Sequence, residues 1–477
     1  MNTAVQSVAD TMNPGLSASS LPDAELPLQR IYAFEAERPA QPFLTQPRDG
    51  DIRTWTWAEA MQEVRRIATW LSAQGWPRGS RVVILSKNCA WWIMADFAIW
   101  MAGHVSVPFY PSLRGESLAA LFDHSEPVAC FLGDLDQAPP FSDPALKNVR
   151  FIAFPNAKPD HTPPGAEHWH ALVRDNEPLR TNPARSADEL ATIIYTSGTT
   201  GQPKGVMQSF LSLSLMGQSM EPAFGNSALP LDRILSYLPL AHIAERAIVE
   251  MNSLMMPLHI FFTEGQPTFV LDLQRSQCSV FFSIPRLYLR FQQGVFEKVP
   301  ELKLKRLLRI PLLNRIVRKK ILRGLGLGHT RLAASGGAAI PIELVHWYRS
   351  LGLNFVEGYG MTETGITHVP LPSRFRAGYV GNASPYADTR ISDAGEVQIK
   401  GAMNLLGYYK NPELTAQAFT DDGYFRTGDR GEIDKQGRLR IIGRLKEEFK
   451  TSKGKYVVPA PIEKLLSLST MFESVCV

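Results

Sequence analysis

The stretch Tyr195-Thr196-Ser197-Gly198-Thr199-Thr200-Gly201-Gln202-Pro203-Lys204-Gly205 follows the apolar, β-leaning residues 191–194. Glycines let a backbone approach an anion closely, hydroxyl and N–H groups donate hydrogen bonds to it, and a lysine adds positive charge. The stretch is not a Walker A loop, because Pro203 occupies the place of the second glycine and Lys204 precedes glycine rather than serine or threonine. It therefore predicts a loop that holds a polyphosphate, in a nucleotide-dependent enzyme outside the P-loop class.

These eleven residues resemble the phosphate loop of the adenylate-forming superfamily, which includes acyl-CoA synthetases, luciferases and the adenylation domains of peptide synthetases. The resemblance implies binding of ATP, catalytic roles for Thr199 and Lys204, and a contribution of Thr196 to a Mg²⁺ site. The ATP-binding residues that it implies in this loop are Thr196, Ser197, Gly198, Thr199, Thr200, Gly201 and Lys204.

Composition places the chain among ordinary enzymes. Its 477 residues are too many for one core and predict two or more subdomains. A net charge of +4 does not indicate a nucleic-acid binder. Four widely spaced cysteines form no zinc spacing, which predicts a reduced, cytoplasmic location. The apolar window at residues 89–110 is interrupted by charge, glycine and proline, so we expect a buried helix and strand rather than a membrane span.

Alternating helical and strand patterns predict an α/β fold with parallel, layered sheets. Short β-like pieces separated by glycines and charges, between residues 391 and 440, predict a small antiparallel or barrel-like subdomain. We expect a flexible arm at 1–30, a large N-terminal domain at 31–445, and the start of a small α+β C-terminal domain at 446–477. The large domain divides at about 31–190 and 191–375 (two α/β subdomains) and 376–445 (the β subdomain).

Two downstream segments match the family's nucleoside site. Residues 332–339 form an apolar strand that ends in small residues, and the family places this segment beside adenine, which implies roles for Gly337 and Ala338 in binding and for Gly336 at the acyl site. Taken alone, the segment fits a plain strand-to-helix turn equally well. In residues 357–364, the resemblance assigns adenine stacking to Tyr359, nucleotide contacts to Gly360 and Thr362, and Mg²⁺ binding with a catalytic role to Glu363.

Residues 424–429 and 442–447 match the segments that close the family's large domain. A carboxylate accepts hydrogen bonds at two oxygens, which suits the role the family gives Asp429, namely accepting both ribose hydroxyls. The same resemblance implies that Arg444 contacts the nucleotide and acts in catalysis, and that Lys446 is the hinge. Either residue alone would suit an ordinary surface ion pair.

The segment 238–246 resembles the element that borders the carboxylate end of the acyl site, which implies that His242 lines that site without serving as an acid or base. The motifs resemble most closely the bacterial long-chain fatty acyl-CoA synthetases. This resemblance implies activation of a long-chain fatty acid to acyl-AMP and then acyl-CoA, with ATP, Mg²⁺ and CoA. Rival interpretations are a fatty acyl-AMP ligase that serves a carrier protein, and a nucleotide- or acyl-binding module without turnover.

Residues 298–323 interleave lysine and arginine with leucine and isoleucine. They fit either a helix resting on the anionic inner membrane or a solvated helix face, and Pro311 favours two short helices. His161, His168 and His170 lack the spacing of a metal site. Family members continue about a hundred residues past the hinge to a catalytic lysine, so we expect a C-terminally truncated chain with weak turnover. The sequence leaves acyl preference and oligomeric state open.

Overall fold

A computed structural model describes residues 25–196, 203–224, 231–447, 449–450, 456–457, 459 and 462. The chain divides into two compact units, each of which mixes helices with strands and confirms the predicted α/β class. Unit 1 comprises Met1–Gln218, Ser236–Glu264 and Asn404–Ala416, and unit 2 comprises Ser219–Leu235, Gly265–Met403 and Gln417–Val477. The subdomain boundaries inferred from sequence stay predictions.

The strands are short and run through the whole described chain. In chain order they are β1 (Pro42–Arg48), β2 (Asp51–Thr56), β3 (Arg81–Leu85), β4 (Val105–Phe109), β5 (Ala129–Leu132), β6 (Arg150–Ala153), β7 (Glu167–His168), β8 (Leu190–Thr196), β9 (Lys204–Ser209), β10 (Asp232–Ser236), β11 (Leu258–Phe262) and β12 (Val280–Ser283). They continue as β13 (Leu332–Ser335), β14 (Phe355–Glu357), β15 (Tyr359–Met361), β16 (Gly365–His368), β17 (Ala387–Ile391), β18 (Glu396–Gly401), β19 (Gly407–Tyr408), β20 (Phe425–Ile433), β21 (Leu439–Arg444), β22 (Phe449–Lys450) and β23 (Tyr456–Val457).

The helices alternate with these strands, and the first begins inside the region predicted as an arm. The α-helices are α1 (Pro27–Glu37), α2 (Trp57–Ser72), α3 (Ala90–Met101), α4 (Gly115–Ser125), α5 (Trp169–Asp175), α6 (Phe210–Phe224), α7 (Ile243–Glu245), α8 (Asn252–Met255), α9 (Phe269–Ser276), α10 (Pro285–Lys298), α11 (Glu301–Arg309), α12 (Leu313–Gly324), α13 (Ile342–Ser350) and α14 (Pro412–Ala418). A π-helix, Arg246–Met251, joins α7 to α8.

Unit 1 is organised by an eight-stranded sheet with the order β19-β9-β8-β4-β3-β5-β6-β7. Strands β3 to β6 pair in parallel, as their apolar runs and intervening helices predict. Apart from Asp96, helix α3 is apolar on all sides, and all twelve of its residues are buried because it packs inside the unit. The interpretation of residues 89–110 as a buried helix followed by a strand is confirmed, and Trp92 and Trp100 are core residues.

Unit 2 contains a parallel group of strands in the order β14-β13-β12-β10. Strands β12 and β13 are buried along their whole length, as expected for a sheet covered on both faces. A separate four-stranded antiparallel sheet, β17-β18-β20-β21, matches the small antiparallel subdomain predicted near residues 391–440. Its core is small and formed by Val380, Val397, Ile399 and Leu439.

The basic stretch near residue 311 forms two helices, α11 and α12, as the proline predicts. None of the helices in the described residues combines the length and the apolar character that crossing a bilayer requires. The cysteines that the structure describes, Cys89, Cys130 and Cys278, carry free, buried thiols.

Candidate active site

The predicted phosphate loop is a connection between two paired strands of unit 1. Strands β8 and β9 are antiparallel, and Thr196 at the end of one lies opposite Lys204 at the start of the other. Residues 197–202, including the predicted Ser197, Gly198, Thr199, Thr200 and Gly201, lie outside the described residues. Lys204 is half-buried, and its Nζ lies 5.6 Å from the centre of the Tyr408 ring. The two ends of the loop are thus held in register by a sheet.

Gly205 is required where the chain leaves this loop. A Cβ at this position would lie 2.9 Å from Cγ2 of Ile193 and 3.2 Å from Cβ of Tyr409, closer than side-chain packing allows. The Gly205 carbonyl also accepts a hydrogen bond of 2.7 Å from the Tyr409 N–H. Glycine at this position allows the close approach of the two segments next to Lys204.

His242 caps the short helix α7 in unit 1. Its Nδ1 accepts a hydrogen bond of 3.1 Å from the backbone N–H of Ala244. Because a backbone N–H only donates, Nδ1 must be unprotonated, and the neutral ring carries its proton on Nε2. The side chain of His242 is exposed, and partial desolvation lowers its pKa. The imidazole therefore offers a neutral N–H donor.

The chain leading to His242 is anchored by Glu245 and Asn88. Oε1 of Glu245 accepts hydrogen bonds from Oγ of Ser236, at 3.0 Å, and from the backbone N–H of Tyr237, at 2.9 Å. Asn88 donates from Nδ2 to the Leu238 carbonyl, at 2.6 Å, and accepts at Oδ1 from the Leu240 N–H, at 2.9 Å. Burial raises the pKa of the Glu245 carboxyl to about 8, so the group is protonated at neutral pH.

A cluster of buried charges lies directly after this anchor. Arg246 is fully buried and forms ion pairs with Asp96 of α3 and, at 3.1 Å, with Glu250. Its Nη1 also donates to Oγ1 of Thr192, at 2.6 Å. Burial, followed by the charge of Asp96, raises the pKa of Glu250 well above its usual range. The raised pKa favours the neutral form of Glu250, which lessens the excess of negative charge around Arg246.

In unit 2, the two predicted adenine segments follow neighbouring parallel strands. Ser335 at the end of β13 pairs with Glu357 at the end of β14, and the Ser335 carbonyl accepts a hydrogen bond of 2.9 Å from the Gly358 N–H. The carboxyl ends of parallel strands commonly hold ligands in α/β proteins. Gly337 has a φ of +78°, a conformation that favours glycine, and Ala338 beside it is exposed.

Tyr359 and Asp429 are joined by a direct hydrogen bond. The Tyr359 hydroxyl donates to Oδ2 of Asp429 over 2.6 Å. Burial raises the pKa of Tyr359 well above its usual value, so the hydroxyl keeps its proton and can donate. The ring is fixed by this bond although 70 residues separate the partners. The structure thus joins two residues that the sequence assigned separately to one nucleoside site.

Asp429 is placed by a bulge in strand β20. Glu396 of β18 pairs with Arg430, whereas Gln398 pairs with Arg426, so the intervening segment on β20 is longer than its partner. Within it, Gly428 has a φ of +70° and donates its N–H to Oε1 of Glu396, at 3.0 Å. Such a bulge redirects side chains out of the regular pleat.

Arg444 lies opposite Asp429 on strand β21, and its Nε is 3.0 Å from Oδ1 of the carboxylate. It also donates from Nη1 to the Thr427 carbonyl, at 3.2 Å. Asp429 is 5% exposed, and this burial raises its pKa, while Arg444 and the Tyr359 hydroxyl act in the opposite direction. Lys446, the predicted hinge, is exposed in a 3₁₀ turn that directly follows β21.

Thr362 and Glu363 lie in the tight turn between β15 and β16. Gly360 pairs with Ile366 in this hairpin, and a Cβ on Gly360 would lie 2.3 Å from the Gly365 carbonyl oxygen. Thr362 is buried and Glu363 is half-buried. The turn therefore carries one hydroxyl and one carboxylate at adjacent positions in the chain.

The chemistry of this turn is compatible with Mg²⁺ delivered as a nucleotide complex. In the part of the chain that the structure describes, no group of three His, Cys, Asp or Glu side chains is arranged to hold a metal ion. His161, His168 and His170 are among the described residues and form no such group. Mg²⁺ commonly takes one or two carboxylates and completes its shell with phosphate oxygens and water, so a single carboxylate such as Glu363 suffices.

The residues that support these groups were not predicted from the sequence. Asp96 was visible as a lone carboxylate in an apolar run, and Arg246 and Glu250 have the four-residue spacing of a helical ion pair. Each of these sequence features predicts a buried charge pair, but neither predicts that the helix with Asp96 contacts the helix with Arg246. Glu245 and Asn88 gave no signal of their own. The bulge at Gly428 could have been suspected from a Thr-Gly-Asp sequence within a strand pattern.

Known proteins that are similar to this chain include AMP-binding enzymes and acyl-CoA ligases. A family profile described as AMP-binding enzyme matches residues 32–409. A long-chain-fatty-acid–CoA ligase of Mycobacterium bovis is 33% identical over 471 residues, which cover 91% of this chain and 77% of the relative. Long chain acyl-CoA synthetase 1 of Arabidopsis thaliana is 30% identical over 483 residues, covering 88% and 71%. Among solved structures, ATP-bound MatB from Rhodopseudomonas palustris is 25% identical with a TM-score of 0.74, covering 92% of this chain and 82% of that one.

Proposed function

Because this chain belongs to the AMP-binding enzyme family, we propose that it activates a long-chain fatty acid with ATP, first to an acyl-adenylate and then to acyl-CoA. The observation that carries the proposal is the arrangement of Tyr359, Asp429 and Arg444 in unit 2. The buried carboxylate of Asp429 accepts a hydrogen bond of 2.6 Å from the Tyr359 hydroxyl and pairs with the Arg444 guanidinium at 3.0 Å. These are the group types that recognise a purine, a ribose and a phosphate.

Asp429 is proposed to accept the ribose hydroxyls. Its Oδ2 already receives the Tyr359 hydroxyl and its Oδ1 receives Arg444, but each carboxylate oxygen has two acceptor sites. One site on each oxygen thus suffices for two ribose hydroxyls. Asp429 must be ionised for this role, and Arg444 stabilises the ionised form against the cost of burial. The Tyr359 ring, held by the same carboxylate, supplies a flat face for adenine.

The phosphate contacts are proposed to come from residues of the loop that Thr196 and Lys204 bracket. Lys204 would supply positive charge, and the hydroxyl and N–H groups between the two strands would supply donors. Glu363 would hold the Mg²⁺ that accompanies ATP. The metal ion, when bound with the nucleotide, offsets charge that develops on the phosphate oxygens. Activation of this type depends on positioning and charge neutralisation more than on acid–base chemistry.

His242 is proposed to line the acyl site as a donor rather than a base. Its Nδ1 is occupied by the Ala244 N–H, which leaves Nε2–H to donate. A neutral N–H suits a carboxylate oxygen or the carbonyl oxygen of an acyl-adenylate. Desolvation lowers the pKa of His242, which favours this neutral form of the ring.

The proposed reaction has two steps that balance. In the first, an oxygen of the fatty carboxylate bonds to the α-phosphorus of ATP, the bond to the bridging oxygen breaks, and pyrophosphate leaves. In the second, the sulfur of CoA attacks the acyl carbon, AMP leaves, and the thiol proton passes to solvent. Lys446, exposed immediately after β21, is the proposed hinge between the two steps.

The test is fatty-acid-dependent exchange of labelled pyrophosphate into ATP, with acids of eight to twenty-two carbons. We expect exchange with a maximum among the long chains, and loss of most of it in Asp429→Ala. Asp393→Ala, which changes an exposed aspartate in the β17–β18 turn, is the matched control and should behave like the wild type. Adding CoA or an acyl carrier protein then identifies the acceptor. If AMP release depends on the carrier protein and not on CoA, the acyl acceptor is the carrier protein. If ATP binds but no exchange occurs, the protein is a binding module without turnover.

A further inference from the structure

Unit 2 contains a positively charged helical hairpin. Helices α11 and α12 contact each other and are joined at residues 310–312, and we call residues 301–324 the basic hairpin. It contains nine lysines and arginines but a single acid, Glu301, so its formal charge is +8 (nine less one). Since the whole chain carries +4, the rest of it carries −4. Positive charge is therefore concentrated on this one element.

The same hairpin exposes large aliphatic side chains. Leu302 is 73% exposed, Ile310 48%, Leu312 76% and Ile316 64%. Helix α12 has no buried residue along its twelve positions. Contact with water is unfavourable for each of these side chains, so their burial in an apolar layer would be favourable.

The tip of the basic hairpin holds one of these residues in an unusual conformation. Leu312 has a φ of +67°, and the Leu313 N–H donates across it to the Pro311 carbonyl, at 2.8 Å. This tight turn is strained for a residue with a side chain. It keeps Leu312 on the outer end of the hairpin, between two basic helices.

We propose that the basic hairpin docks on the surface of an anionic phospholipid bilayer. Lysine and arginine side chains would pair with lipid phosphates, and the four exposed aliphatics would enter the boundary between headgroups and acyl chains. A nucleic acid would satisfy the charges but offers no apolar layer for the aliphatics. A second copy of this chain meeting the first through the hairpin would place +8 against +8. The inference does not depend on the proposed enzymatic activity.

The experiment is flotation of the purified chain with two kinds of vesicle, pure phosphatidylcholine and phosphatidylcholine mixed with phosphatidylglycerol. Binding is expected on the mixed vesicles, should fall steeply with added salt, and should be absent on the neutral vesicles. Equal binding to both vesicles, or none to either, would overturn the proposal. So would salt-sensitive binding to a DNA or RNA duplex in the absence of vesicle binding.

Variants separate the two contributions. The charge variant is Lys303→Gln, Arg315→Gln and Lys319→Gln, and its control in the same unit is Arg374→Gln, Lys435→Gln and Arg440→Gln. At roughly fivefold per charge near the surface, the charge variant should lose on the order of a hundredfold in partitioning, and the control should lose little.

The apolar variant is Leu302→Ser, Leu312→Asn and Ile316→Ser, with Val270→Ser and Leu271→Ser as its control. At low salt this variant should still bind the mixed vesicles, but severalfold more weakly than the wild type does. The control should bind like the wild type. All these positions are exposed, so folding should persist and is checked by thermal unfolding. An apolar variant that binds like the wild type would contradict insertion, and a charge variant that binds like its control would contradict docking.

Discussion

The hydroxyl of Tyr359 donates a hydrogen bond of 2.6 Å to the carboxylate of Asp429, which is also paired with Arg444. The proposed roles of the first two residues thus depend on each other. The carboxylate that would read the ribose also holds the ring that would stack on the base. A change in either residue should therefore affect recognition of both parts of the nucleoside.

Tyr359→Phe keeps the ring but removes its hydroxyl. A hydrogen bond to a charged group contributes roughly 1.5–3 kcal/mol, so AMP affinity should fall by about tenfold or more as the ring loses its anchor. Calorimetric titration with AMP measures this. Tyr424→Phe is the matched control, because the exposed Tyr424 hydroxyl donates to Asp388 on the same sheet. Equal affinities for Tyr359→Phe and the wild type would remove this pair from the site.

Glu245→Gln should change how stability depends on pH. The pKa of Glu245 is raised from 4.5 to about 8 in the folded state, so between these values the folded protein holds a proton that the unfolded chain has lost. Stability is then greatest at low pH and falls as pH rises through this window. Glutamine stays neutral, so the variant should gain on the wild type by about 1.4 kcal/mol per pH unit there. Urea unfolding at several pH values gives the dependence of the free energy of unfolding on pH. The same dependence in Glu245→Gln and the wild type would contradict the raised pKa of Glu245.

Arg246→Met should destabilise unit 1 strongly. It leaves Asp96 buried without its counter-ion, which typically costs about 3–5 kcal/mol. Replacing all three members of the cluster with apolar residues should restore most of that loss, since no charge remains to be compensated. Urea denaturation measures the free energy of unfolding of both variants and of the control Arg174→Met. The control breaks an exposed ion pair and should have no measurable effect. A small loss in Arg246→Met would mean that water reaches the cluster.

Gly360→Ala should disturb the hairpin that carries Tyr359 and Glu363. Its Cβ would lie 2.3 Å from the Gly365 carbonyl oxygen and 2.7 Å from Cα of Ile366, so the backbone must shift at a cost of about 1–3 kcal/mol. AMP affinity should fall as well. Gly294→Ala is the control, because nothing lies within 4 Å of a Cβ there and alanine favours its helix by about 0.5–1 kcal/mol. Equal stabilities for the two variants would contradict the close approach.

The sequence was sufficient to predict the parts of the fold that depend on local pattern. Apolar runs such as Arg81–Leu85 became strands, and Pro311 separated two basic helices. Candidate site residues could be named from short motifs for the same reason. The contacts that orient them could not be predicted, because they join distant positions. The Tyr359–Asp429 bond depends on a bulge beside Gly428, and the Arg246 cluster joins three separate elements, so both follow from tertiary packing rather than from periodicity.

Formation of a fatty acyl-adenylate by this chain can be observed without any coupled reaction. The measurement is mass spectrometry of the products after incubation with ATP, Mg²⁺ and palmitate in the absence of CoA. We expect palmitoyl-adenylate with the wild type, and about a hundredfold less with Asp429→Ala at the same subsaturating ATP, because two charge-assisted hydrogen bonds are lost. A wild-type protein that binds AMP but yields no acyl-adenylate with any fatty acid of eight to twenty-two carbons would contradict it.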